Sequence, residues 1–154
     1  MVIFKIAVEI LGERLVPEDL LGQLKGDFEL SFKISADERT GASGKYGFGC
    51  ISLLHPRKYG FSNNLIDYEE WFVCFLEKNF HLIDDSGAED ITLLIDVFFI
   101  DQCSISIFNK DLLRRLLKFE ISIPMNIYKI EREEMLEMLL EEGFNEPELW
   151  ELNM

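Results

Sequence analysis

Apolar side chains fall at alternate positions from the start of the chain: Val2, Phe4, Ile6, Val8 and Ile10 share one face, with Lys5 and Glu9 on the other. That period of two is the mark of a strand. Pro17 then opens a short helix carrying Leu20, Leu21 and Leu24, and Gly26 closes it. Proline loses nothing at a first helical position, where its missing N–H would have had no partner, and glycine tolerates the turn that ends a helix. Alternation returns at Phe28, Leu30, Phe32 and Ile34. The stretch SADERTGASGKYGFGC, with Gly41, Gly44, Gly47 and Gly49, predicts a loop and then a third strand near residues 46–54.

Asp67 and Glu70 have the spacing of a capping box at the head of a second helix. That helix is predicted to run to about Phe80 and to bury Trp71, Phe72, Phe75 and Leu76. ITLLIDVFFIDQCSISIF predicts a central strand, a turn near Asp101 and Gln102, and a return strand. Asn109 is placed to cap the helix KDLLRRLLKF, because its side-chain oxygen can take the free N–H groups of the first turn. Ile121, Ile123, Met125, Ile127 and Ile130 alternate in a last strand. Pro124 lacks a donor and assigns that strand to an edge or a bulge. The order β-α-β-β-α-β-β-α-β-α predicts an α+β fold with a single mixed or antiparallel sheet and helices packed mainly on one face. Its first part has the ferredoxin-like element order.

Length and composition agree with one domain over 1–154, ending in an acidic helical segment over 131–154. The chain has 154 residues, 48% hydrophobic and 12% aromatic, enough to bury a sizeable core. No apolar run approaches the ~20 residues that span a bilayer. The opening MVIFKIAVEILGERL lacks a basic start and a small-residue cleavage site, so it reads as a strand and not a signal peptide; the expected location is cytoplasmic. Cys50, Cys74 and Cys103 are odd in number, far apart and set among apolar neighbours, the pattern of buried free thiols.

The net charge of −14 narrows the partners. Phosphate backbones and anionic lipids need clustered Lys and Arg, so nucleic acid and membrane are not the expected ligands. A basic protein is. The charge is also uneven: residues 131–154 hold nine Glu against Arg132 alone, a balance of −8, which leaves −6 for the other 130 residues.

Motifs of chemistry are sparse. His55 and His81 form no metal spacing with each other or with a cysteine. Gly44-Lys45 lacks the glycine and the Ser or Thr of a phosphate loop, since Arg39 and Tyr46 stand in those places. Cys50 or Cys103 could meet a distant histidine, but nothing marks an activated thiolate. Asp84 with Asp85, and Asp96 with Asp101, are pairs that 29 acids produce by chance. Asp96 within an apolar strand fits the exposed face of an edge strand. No catalytic residue, cofactor or metal is expected. Arg57 and Lys58, with Arg39 and Lys45, could gather at one end of the sheet and, with His55, line a small anion site.

The tail is the most unusual stretch. In EREEMLEMLLEEGFNEPELWELNM, Leu136, Leu139 and Leu140 follow helical spacing and can dock on the body. Glu133, Glu137 and Glu141 are four apart, and such like-charged pairs each cost a helix roughly 0.2–0.5 kcal/mol. Gly143 can close the helix, and Asn145 can cap a proline-led turn that follows. An aromatic anchor, Trp150, within an acidic rim has the composition of a surface that meets a basic partner. The expected interface is therefore Glu133, Glu134, Glu137, Glu141, Glu142 and Trp150.

Two stretches, VEILGERLVPEDLLGQL and SISIFNKDLLRRLLKFEISIPMNIY, carry a resemblance. From about Val8 to Ile130 the chain resembles a bacterial family of small acidic α+β domains of unknown function, and with it the immunity proteins of polymorphic and contact-dependent growth-inhibition toxin systems. The family pattern has a turn motif after the first helix, where this chain goes directly to Gly26 and Asp27. The resemblance implies a protein that binds and neutralises a cognate toxin domain, a basic nuclease for instance. The alternative expectation is a small-ligand-binding or sensor domain. The shared pattern is one of apolar residues, and it assigns no functional residue.

Overall fold

The alternating N-terminal run forms β1 (Val2–Gly12), the strand around which the sheet is built. The computed structural model describes residues 1–145 other than 39, 41–43, 63 and 103. Along these run α1 (Pro17–Gln23), β2 (Glu29–Ile34), β3 (Gly49–Leu54), β4 (Gly60–Phe61) and α2 (Leu65–Asp85), then β5 (Asp90–Phe99), α3 (Lys110–Leu116), β6 (Met125–Lys129) and α4 (Arg132–Glu141). The fold is α+β with one mixed sheet of six strands, ordered β2-β3-β1-β5-β6, and with β4 paired to β1. All neighbours are antiparallel except β5 and β6. In the order β2-β3-β1-β5, each of two β-α-β units is split by a strand of the other, which is the ferredoxin-like arrangement.

One strand lies elsewhere than the pattern suggested. The return strand expected after Asp101 does not form, since residues 104–107 run without strand pairing. The sixth strand is instead the two-residue β4. Residues 105 and 107 are isoleucines that pack, half-buried, against the core, so burial and not pairing explains their alternation. β2 alternates imperfectly: its register shifts between Leu30, opposite Leu53, and Phe32, opposite Ser52. Asp96 also departs from expectation, because β5 lies between β1 and β6 and is not an edge. Its carboxylate accepts a 2.9 Å hydrogen bond from Asn126 Nδ2. β6 is the edge that Pro124 indicated, and every residue in it is exposed.

The main core lies between the sheet and helices α1, α2 and α3. Phe4, Ile6, Val8 and Ile10 of β1 meet Tyr68, Phe72 and Leu76 of α2 and Leu112 and Leu116 of α3. α2 starts earlier and ends later than the capping box suggested. Asn64 takes the N-cap position, and its side chain accepts the Phe61 N–H instead of capping the helix. Asn109 caps α3 as expected, its Oδ1 accepting the N–H groups of Asp111 and Leu112, both at 3.0 Å.

Two buried polar side chains on α2 tie the fold together. The Tyr68 hydroxyl accepts the Ile6 N–H at 3.1 Å and donates to the Lys58 carbonyl at 2.8 Å. Ile6 sits where neither β3 nor β4 pairs with β1, so this oxygen completes the ladder across the gap. A β-carbon on Gly60 would lie 2.4 Å from the Tyr68 ring, so only glycine leaves room for it.

Glu69, 2% exposed, accepts the Phe108 N–H at 2.6 Å. Phe108 has φ +54°, a left-handed conformation unusual for a side chain of its size. Burial pushes the Glu69 carboxyl up, against the smaller opposing effect of the Phe108 N–H. A raised folded pKa gives stability that is complete below the unfolded value and lost as pH climbs through the folded one. Glu69→Gln, which keeps an acceptor for Phe108, therefore gains on the wild type as pH rises from about 4.5 to about 7.5 in urea denaturation. Glu69→Ala leaves the Phe108 N–H buried and unpaired, and falls about 1–3 kcal/mol below Glu69→Gln.

Candidate functional site

α4 lies against the face of the sheet opposite the other helices. Met135 and Leu139 are fully buried with Ile3, Tyr59 and Phe61 in a second apolar cluster, flanked by Phe98, Ile130 and Phe144. Glu133 and Glu134 in the first turn suit the positive end of the helix. Gly143, at φ +88°, closes the other end, with its N–H on Leu140 O at 3.0 Å and that of Phe144 on Leu139 O at 3.1 Å. Phe144 then packs edge-on to Phe61, with ring centroids 5.5 Å apart.

With that side of α4 buried, Glu133, Glu134, Glu137 and Glu141 are left exposed. None of these four forms an ion pair among the described residues. Glu142 differs: its carboxylate pairs with Lys58, and both side chains are about three-quarters covered. Burial, and then the charges of Glu142 and Glu141, push the Tyr59 phenol up to about 12. Trp150, the expected aromatic anchor, and the expected turn at Glu146-Pro147 lie outside the described residues. The Lys58–Glu142 pair was not expected, because 84 residues separate its members and no local pattern joins them.

Arg57 and Lys58 do reach one end of the sheet. With Glu29, Pro56, Glu142 and Phe144 they line a cleft of about 400 Å³. The Arg57 guanidinium lies over the Tyr68 ring at 5.9 Å and has no ion pair among the described residues. Lys45 does not join them; it pairs with Asp37 at 2.9 Å, and Arg39 lies outside the described residues. His55 does not line the cleft either. Its ring packs on Trp71 and Tyr68, with centroids 5.0 and 4.9 Å away, and its Nδ1 accepts the Arg57 N–H at 2.8 Å. Burial and then the Arg57 charge push this imidazole down, toward its neutral form.

The remaining candidates are placed as follows. Cys50 is buried beside Glu9, and burial followed by that charge pushes its thiol up, the reverse of an activated thiolate. Glu9 is itself raised, by burial and then by Asp96. Cys74 was expected to be buried but is exposed on α2, its sulfur 3.2 Å from an Arg115 nitrogen. Arg115 also bridges Glu70 and Glu77, at 3.2 and 2.7 Å, holding α3 to α2. Cys103 lies outside the described residues. His81, Asp84, Asp85 and Asp101 are exposed. Among the described residues no three His, Cys, Asp or Glu side chains are grouped to hold a metal, and no helix is long and apolar enough to cross a membrane.

Compared with protein-family models, with curated proteins and with solved structures, the chain finds no match.

Proposed function

We propose that this protein is a binding protein of the immunity type, which takes a basic toxin domain, a nuclease for instance, on the acidic face of α4 and has no catalytic role. One observation carries the reading: Glu133, Glu134, Glu137 and Glu141 project from a helix whose other side is anchored, and no cation of the chain offsets them among the described residues. Four uncompensated carboxylates on a fixed backbone repel one another, so a cationic partner relieves a strain already present. Nuclease sites are lined with cations for phosphate, and opposite potentials both speed encounter and set orientation. Anchoring α4 in advance spares the complex the cost of ordering it.

The experiment is co-purification with the product of the adjacent gene at about 50 mM and about 500 mM NaCl, a range over which surface charges become screened. A complex that forms at low salt and falls apart at high salt is expected. The double variant Glu137→Lys, Glu141→Lys should weaken it by at least tenfold, about 1.4 kcal/mol, while leaving the fold intact. A complex of unchanged affinity in that variant would move the interface off α4.

A second reading, a small-ligand or sensor domain, is favoured by one observation, Arg57 in the cleft beside Lys58 with no ion pair among the described residues. Its weakness is chemical. Lys58 is already matched by Glu142, and Glu29 adds another negative charge, so among the described residues an anion would meet one free cation and two carboxylates.

A further inference from the structure

Exposed apolar side chains concentrate in one part of the described surface. Of the thirteen large hydrophobic side chains exposed among the described residues, six lie in one short stretch: Leu113, Leu117, Ile123, Met125, Ile127 and Tyr128. Leu117 is 83% exposed and Ile127 56%. α3 and the segment leading into β6 enclose an apolar groove of about 290 Å³; Met125 and Ile127, level with Ile95 and Val97 of the main core, continue on that face, whereas Tyr128 lies on the other, its ring stacked on Phe98. Residues 110–129 carry five basic and two acidic side chains, a balance of +3, whereas the whole chain stands at −14.

The patch borders an open edge of the sheet, since β6 ends the strand order. Toward β5 point the Ser122 N–H and C=O, the Pro124 carbonyl and the Ile130 N–H. The alternation of a strand therefore turns the N–H and C=O groups of Met125, Ile127 and Lys129 outward, away from β5. Such an edge is a template for another strand, and natural proteins guard it with charge, bulges or a covering element. Here Lys129 is the only charge in the strand.

We propose that the protein pairs with a second copy of itself through antiparallel contact of β6 with β6, symmetric about Ile127, with the apolar face of α3 closing the joint. The strand is self-complementary in this register. Ile127 meets its own copy, Met125 faces Lys129, and Asn126 faces Tyr128, so no like charges stand opposite each other. All three outward-facing residues then find backbone partners, as a two-fold interface requires. Charge does not oppose the pairing at the seam: Arg114 is paired with Asp111, Arg115 is paired with Glu70 and Glu77, and Lys129 stands opposite Met125. Six side chains of this size and exposure offer roughly 500 Å² per copy, and the strand backbone and rim bring the total toward the ~800 Å² per partner of a standard interface.

The test is the mass of the full chain by light scattering and sedimentation, from about 10 µM to about 300 µM, at about 50 mM and about 500 mM NaCl. The wild type should pass from 18.0 kDa to twice that mass as concentration rises, and further toward the dimer at high salt, which screens the repulsion between acidic copies. That salt dependence is opposite in sign to the one expected for a basic partner on α4, so either idea can fail alone. Ile127→Lys and Leu117→Lys, both at exposed positions, should stay monomeric throughout with an unchanged circular dichroism spectrum. Glu137→Lys should dimerise as the wild type does. A wild type that remains at the monomer mass at the highest concentration in high salt would overturn the proposal, and so would an Ile127→Lys variant that dimerises normally.

Discussion

Tyr68→Phe lowers the unfolding free energy by roughly 2–4 kcal/mol, although it removes a single oxygen. The ring stays where it is, fully buried between β1 and Phe72. What disappears is the hydroxyl that accepts the Ile6 N–H and donates to the Lys58 carbonyl. The Ile6 N–H is then buried with no acceptor, at a desolvation cost of about 1–3 kcal/mol, and the partly buried Lys58 carbonyl adds a smaller loss. For a chain of this size the midpoint of thermal unfolding should fall by roughly 5–15 °C. Urea and thermal unfolding followed by circular dichroism measure both quantities. A loss below about 0.5 kcal/mol would mean that β3, β4 or a water closes the gap in β1 without the phenol.

Leu139→Ala is expected to cost about 2–5 kcal/mol, the range for emptying a fully buried leucine site. The loss should be felt locally before it is felt globally. α4 is joined to the body by the small cluster around Ile3, Tyr59, Phe61 and Met135, with the Lys58–Glu142 pair at its end. Hydrogen exchange should therefore quicken in the amides of α4 while β1 and β5 keep their protection. The variant also separates geometry from charge in the proposed function. It leaves every glutamate in place, yet affinity for a basic partner should drop, because a loosened helix must be ordered again on binding.

The parts of the fold that were legible in the sequence are those with a local physical signature. Period two gave β1, Pro17 gave the head of α1, Asn109 gave the cap of α3, and Pro124 gave the edge position of β6. The misplaced strand shows the limit of periodicity. Ile105 and Ile107 alternate because one side is covered by the core, and burial leaves the same trace whether or not a neighbouring strand supplies hydrogen bonds. β4 was invisible for the opposite reason, since two residues are too few to show a period. Asp67 and Glu70 had the spacing of a capping box, but Asn64 and Leu65 had already begun the helix, so tertiary packing of Leu65 and Tyr68 set its start.

At the candidate site, the outward glutamates of α4 were legible from helical spacing, but the docking face was only partly so: Leu136, Leu139 and Leu140 were expected, whereas Met135 and Leu139 are the buried pair, Leu136 is half-buried and Leu140 is exposed. The contacts that hold the helix in place were not. Lys58 to Glu142, and Phe61 to Phe144, join residues more than eighty positions apart, and nothing in either neighbourhood names the other. The same applies to Glu69 and Phe108, where a buried acid could be read only as one more member of the run Glu69-Glu70 on a helix.

The split β-α-β pair is complete once β5 is laid beside β1. Everything after Phe99 is an addition to a sheet that is already closed in topology, fastened by the β5–β6 ladder, by Leu112 and Leu116 in the main core, by Met135 and Leu139 in the second, and by the polar links of Glu69 to Phe108, Arg115 to Glu70 and Glu77, and Glu142 to Lys58. Both surfaces given a role above, the outer side of α4 and the free margin of β6, belong to this appendage. Such a division lets recognition drift while the scaffold is conserved. Substitutions that retune a partner would accumulate in the last third of the chain, and the four strands beneath would not need to repack to accommodate them.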